Sequence, residues 1–131
     1  MKWQDRFATG IKRIDDHHKG LFEISEVFRD ALNERRGERV YGGVLNSLAS
    51  YARVHFGFEE GCMGRCQCSA AQQNTLAHAQ FLQVLSVFRE RYAAVGFERS
   101  EALRLVEFID QWLAVHICGI DLQLKPYAQE L

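Results

Sequence analysis

The chain has 131 residues, and its 16 Lys and Arg nearly balance 17 Asp and Glu, for a net charge of −1. That balance gives no electrostatic reason to expect nucleic acid or an anionic membrane as a partner, and the length suits one domain over residues 1–131. No signal-peptide-like run opens the chain and no stretch approaches the roughly eighteen apolar residues of a membrane span, so a soluble cytoplasmic protein with its four cysteines reduced is expected.

The only proline is Pro126, and the glycines gather near Gly37, Gly42 to Gly43, Gly57 to Gly64 and Gly96, which leaves room for long helices. Ile11, Ile14, His18, Leu21, Phe22, Ser25 and Phe28 recur at three- and four-residue steps and predict a helix from about Asp15 to Glu34. Beyond a polar hinge, Arg35 to Arg39, a second stripe runs through Val44, Leu45, Leu48, Tyr51, Ala52, His55, Phe56 and Glu59 and ends near Met63. The third carries Asn74, Ala77, His78, Phe81, Leu82, Leu85 and Phe88, with Gly96 as a left-handed stop. The fourth starts at Ser100, whose hydroxyl is placed to cap it, and carries Leu103, Val106, Ile109, Trp112, Leu113, His116 and Ile117. Four amphipathic helices with short connections predict an all-α fold, an up-down-up-down antiparallel four-helix bundle.

Polar side chains in such stripes need partners, because burying an unpaired polar or charged group costs several kcal/mol. Of the five histidines, only His17 lies off the stripes. A lone core histidine is ordinarily just hydrogen-bonded, but here four occur on four helices. His55 and Glu59, four residues apart, project from one face toward a common point. His18 joins from the first helix, His78 from the third, and His116 with Asp121 from the fourth. Asp121 lies about 140° round an ideal helix from His116, so sharing a centre requires the helix to loosen, and Gly119 is placed for that. Imidazole and carboxylate without thiolate suit iron, manganese or zinc, and six ligands exceed the needs of one tetrahedral ion. A dinuclear site fits best. The Glu-x-x-His motif of ferritin-like bundles is absent, as are His-Glu-x-x-His, a phosphate-cradling loop and a dinucleotide fingerprint.

From Trp3 to Asp121 the chain resembles the bacterial hemerythrins. Gly10-Ile11 followed by Ile14-Asp15-Asp16-His17-His18-Lys19-Gly20-Leu21-Phe22 is similar to the family's first-helix signature, in which the histidine before the lysine is the ligand, pointing to His18 rather than His17. His55-Phe56-Gly57-Phe58-Glu59-Glu60-Gly61-Cys62-Met63 resembles the second-helix signature, which implies His55 as a ligand and Glu59 as a bridge. Trp112-Leu113-Ala114-Val115-His116-Ile117, with Asp121 beyond it, resembles the fourth-helix signature, implying a ligand and a second bridge. The resemblance implies a non-haem di-iron centre of two iron ions, oxo- or hydroxo-bridged when oxidised.

The family pattern has two histidines four apart on the third helix, and here Asn74 stands in place of the first. The resemblance then implies that His78 and His116 serve one iron and His18 and His55 the other. Water, a small anion or the Asn74 amide oxygen would fill the remaining position; the alternative is that Asn74 only lines the site and the second iron binds weakly. An open position favours exogenous ligands and autoxidation, hence a dioxygen-binding, redox-sensing domain, with dioxygen or small anions at iron and no catalysis required of the domain itself. A dioxygen carrier or storage protein and a di-iron oxidase or peroxidase are the alternatives. The resemblance also implies a role as the input of a longer signalling protein with a fused output domain. Cys62, Cys66, Cys68 and Cys118 are read as solvated or packed thiols, with zinc binding or oxidant sensing as the alternative, and Glu60 and His17 as surface residues facing away from the site. Trp112, Phe22, Phe56, Phe81 and Ile117 are expected in the core near the ligands.

Overall fold

The computed structural model describes residues 1–131. A short 3-10 turn, Asp5–Phe7, leads into α1 (Lys12–Asn33), α2 (Gly37–Arg65), α3 (Ala71–Val95) and α4 (Arg99–Gly119), and a 3-10 segment, Asp121–Glu130, closes the chain. None of the helices is long and apolar enough to cross a membrane.

The helix ends explain where the structure departs from the stripes. α1 begins at Lys12 rather than near Asp15 because the buried Asp15 carboxylate reaches back along the chain, accepting bonds from the Thr9 N–H and hydroxyl, both 2.8 Å, and from the Gly10 N–H at 3.2 Å. At its other end Arg35 turns left-handed at φ 59°, the Arg36 N–H bonds Ala31 O and the Arg35 N–H bonds Leu32 O. This pairing satisfies otherwise orphaned carbonyls and reverses the chain within residues 34–36, so α2 absorbs most of the expected hinge. α2 stops the same way, with Gln67 at φ 52° and the Cys68 N–H on Met63 O. Gly96 does take a positive φ, 79°, but with ψ −166° it occupies extended space open to glycine rather than the left-handed helical well. The expected Ser100 cap does not form: Glu98 holds the cap position without a side-chain bond, and Ser100 lies within the first turn of α4.

The up-down order follows from which residues meet. Tyr41 near the start of α2 stacks on Phe28 late in α1 and meets Tyr92 late in α3 edge-on. His18, early in α1, instead meets His55, late in α2, while His78, early in α3, meets His116, late in α4. Successive helices therefore run in opposite directions, α1 and α3 packing against both α2 and α4. The larger apolar cluster fills the middle and one end of the bundle, with Phe28, Leu32, Tyr41, Leu45, Leu48, Leu105 and Ile109 fully enclosed. A smaller one, including Ile14, Cys62, Met63 and Leu124, seals the other end. Between them lie His18, His55, Glu59, Asn74, His78, His116 and Asp121, all buried.

Candidate metal centre

Each helix delivers its polar residues from the same stripe as its apolar ones, so the packing that forms the core also aims them inward. His55 and Glu59 arrive together from one face of α2. α4 ends at Gly119, and Ile120 (φ −120°, ψ −59°) redirects the chain so that Asp121, opening the 3-10 segment, points back toward His116. The break falls where expected, although Gly119 needs no positive φ to make it.

The resulting geometry has two lobes. Glu59 Oε2 lies 3.2 Å from both His18 Nε2 and His55 Nε2, whereas Oε1 lies 3.0 Å from His78 Nε2 and 3.8 Å from His116 Nε2. Asp121 divides its oxygens likewise, with Oδ2 3.1 Å from His18 Nε2 and Oδ1 3.1 Å from His116 Nε2. All six side chains named from the sequence are thus brought together, and the donor atoms of Glu59, His78, His116 and Asp121, and those of His18, His55 and Glu59, fall within 4.8 Å of one another. Asn74 completes the second lobe, its Oδ1 2.9 Å from His116 Nε2.

The electrostatics show what the cluster favours. Burial by itself disfavours charge on His18 and His116, yet the Asp121 and Glu59 carboxylates outweigh it and push both imidazoles up to about 9. Burial likewise opposes charge on Glu59, but His116, His18, His55 and His78 hold its carboxyl well below the usual range. His55 is moved down, because burial prevails over its contact with Glu59. Two enclosed carboxylates therefore favour positive charge between them, whether as protons on imidazole or as a metal cation. Both Asp121 oxygens are fully buried and lack an aligned hydrogen-bond donor, and Asn74 Nδ2 also has no partner. Orphaned acceptors of this kind, facing imidazole nitrogens, fit a metal ion.

Two residues expected to face away instead touch the imidazoles from outside. Glu60 Oε2 lies 3.0 Å from His78 Nδ1, and His17 Nδ1 lies 3.1 Å from His55 Nδ1. Burial and the neighbouring His55 move His17 down. Both sit beside an inward-facing residue in the sequence, and their long or planar side chains reach round the helix flank to the next helix. Alternation of faces alone gave no sign of that reach. Of the aromatic residues, Phe56 stacks on His78 (ring centroids 3.8 Å, 7°) and Trp112 on His116 (4.2 Å, 12°), while Phe81 packs on Trp112 and Phe22 stacks on Phe7. The cysteines are free thiols and join neither donor group: Cys62 and Cys68 are packed, Cys66 is half-buried and Cys118 is exposed.

Residues 9–128 match the family described as Hemerythrin HHE cation binding domain. The chain is 30% identical to a bacteriohemerythrin of Pseudomonas paraeruginosa, over 92% of this chain and 76% of that one. It is 29% identical to a bacteriohemerythrin of Stenotrophomonas maltophilia, over its full length and 81% of the relative, and 25% identical to a hemerythrin-like protein of Naegleria gruberi, over 95% and 91%. With a match across nearly its whole length and a bundle that carries the buried histidine and carboxylate cluster, the chain belongs to the hemerythrin family of HHE cation-binding domains.

Proposed function

We propose that residues 1–131 act as a single hemerythrin-like domain in which His18, His55, His78 and His116, with Glu59 and Asp121 between them, would hold two iron ions for dioxygen binding and redox sensing. One observation carries the reading: Glu59 turns one oxygen to His18 and His55 and the other to His78 and His116, and Asp121 likewise turns one oxygen to His18 and the other to His116. A single ion could not use all of these donors, whereas two ions side by side could share both bridges. Two such ions would supply the two electrons that dioxygen takes up, one from each.

The protein's part is to position and to leave room. Phe56 and Trp112 pin the His78 and His116 rings by stacking on their faces, so the Nε2 lone pairs stay aimed inward. Asn74, beside His116, offers an amide oxygen in place of an imidazole, and its buried Nδ2 has N–H groups free to donate to water or a small anion at that position. This favours ligand exchange and oxidation over clean release of dioxygen, which supports a sensor over a carrier. Joined to an output domain, such a change would become a signal.

Anaerobic titration with Fe(II), followed by admission of air in a stopped-flow spectrometer, tests the reading. Two Fe(II) per chain and rapid conversion to a stable oxidised form are expected. An absorption change that reverses when dioxygen is removed would favour a carrier, and repeated turnover with a reductant an enzyme. Asn74→His should slow autoxidation; an unchanged rate would sever the link between Asn74 and reactivity.

A further inference from the structure

Three residues from two adjoining turns of α2 enclose one imidazole of α3. Phe56 lies flat on the His78 ring, Glu59 Oε1 meets its inner nitrogen Nε2 at 3.0 Å, and Glu60 Oε2 meets its outer nitrogen Nδ1 at 3.0 Å. The other imidazoles are held differently. The outer nitrogen of His55 faces the ring of His17, and that of His18 has no hydrogen-bond partner. His78 thus has a carboxylate on its outer side, and it is also the single imidazole that α3 supplies, because Asn74 stands one turn before it.

We propose that Glu60 is a positioning residue that compensates for Asn74. It accepts the Nδ1–H of His78, which fixes the tautomer whose Nε2 lone pair points at the metal, and its negative charge makes that nitrogen a stronger donor. The reinforcement falls on the lobe of His78 and His116, where an amide oxygen replaces a nitrogen donor. The inference rests on the two-iron reading above. Glu60 is also suited to being tested alone: its side chain is 36% exposed and opens onto a surface cleft lined by Arg53, Gly57, Thr75 and His78, so water can reach His78 Nδ1 when it is removed.

The test is an anaerobic Fe(II) titration of the whole chain in competition with a ferrous chelator, together with Mössbauer spectra of the reduced protein and melting of the metal-free form. Glu60→Ala should weaken one of the two Fe(II) steps by about 10- to 100-fold. It should alter one of the two iron signals, leaving the other step, the other signal and the metal-free melting temperature at wild-type values. Glu60→Gln, which keeps an acceptor oxygen without the charge, should recover part of the lost affinity. A Glu60→Ala protein that binds two Fe(II) with wild-type affinity and spectrum would overturn the inference and leave the two-iron reading intact. Equal weakening of both steps with a lowered melting temperature would also overturn it, since that marks a merely structural role. Fewer than two Fe(II) per wild-type chain would overturn the two-iron reading itself, and the inference with it.

Discussion

The two halves of the bundle use the same four helices for opposite ends. Around Phe28, Leu32, Tyr41, Leu45 and Leu105 the stripes are apolar, and packing alone satisfies them. Around His18, His55, Glu59, His78, His116 and Asp121 the stripes are polar, and the enclosed atoms include acceptors that nothing in the protein satisfies. Apolar burial contributes roughly 25 cal/mol per Å², whereas an unsatisfied buried polar group costs about 1–3 kcal/mol. The apolar half therefore stabilises the fold, and the polar half draws on that stability to keep donors in place.

The sharpest way to break this contrast is to remove Glu59, which touches all four imidazoles of the two lobes. Glu59→Ala should abolish binding of both ions, read as iron per chain, while helical circular dichroism at pH 8 keeps its amplitude. Retention of one iron would show that the lobes do not depend on a shared bridge. Leu45→Ala, in the other half, should do the reverse. It should cost about 3 kcal/mol in urea unfolding of the metal-free protein, because the cavity cannot fully collapse, with iron per chain unchanged. A loss of iron in that variant would mean that the halves are not separable.

Between these in size is the response to pH. His18 and His116, pushed up to about 9, contribute stability to the metal-free fold that is fully present below their ordinary value of 6.5 and is lost as pH rises toward 9. His55, moved down by burial, acts in the opposite sense below 6.5, where its protonation favours the unfolded chain. Glu59, held well below 4.5, adds stability that is lost only in acid. The melting temperature of the metal-free protein should accordingly fall between pH 6.5 and 9. Metal affinity should rise over the same interval, since imidazoles must shed their protons to ligate. A metal-free melting temperature that climbed toward pH 9 would show that the carboxylates do not govern the imidazoles.

The apolar half and the inward-facing polar residues were legible in the sequence for one reason, the three- and four-residue period that puts core and cluster on the same stripe. His55 and Glu59 could be paired from spacing alone. Asp121 could be placed only by supposing that α4 breaks, and the structure locates the break at Gly119 and Ile120. Contacts made sideways between helices were hidden. Glu60 and His17 lie off the stripe, and whether such a residue meets solvent or a neighbouring ring depends on how closely the next helix approaches, which period does not encode. The missing Ser100 cap has a similar basis: the loop over residues 96–98 sets where α4 begins, and it places Glu98 rather than Ser100 at the boundary.

The smallest expected effect separates the two outer contacts from each other. His17 meets His55 through a contact between two neutral rings, one donating and one accepting, whereas Glu60 offers His78 a carboxylate. Hydrogen bonds with an ionised partner are roughly twice as strong as neutral ones. His17→Ala should therefore weaken Fe(II) binding by less than about 10-fold, the lower bound for loss of an outer partner. It should act on the His18 and His55 lobe, with the other unaffected, as read from the same chelator competition. A loss as large as that of Glu60→Ala would mean that holding the ring in place matters more than the charge behind it. A negligible loss would show that the Glu59 contact and the packing of His55 against His18 already fix that ring.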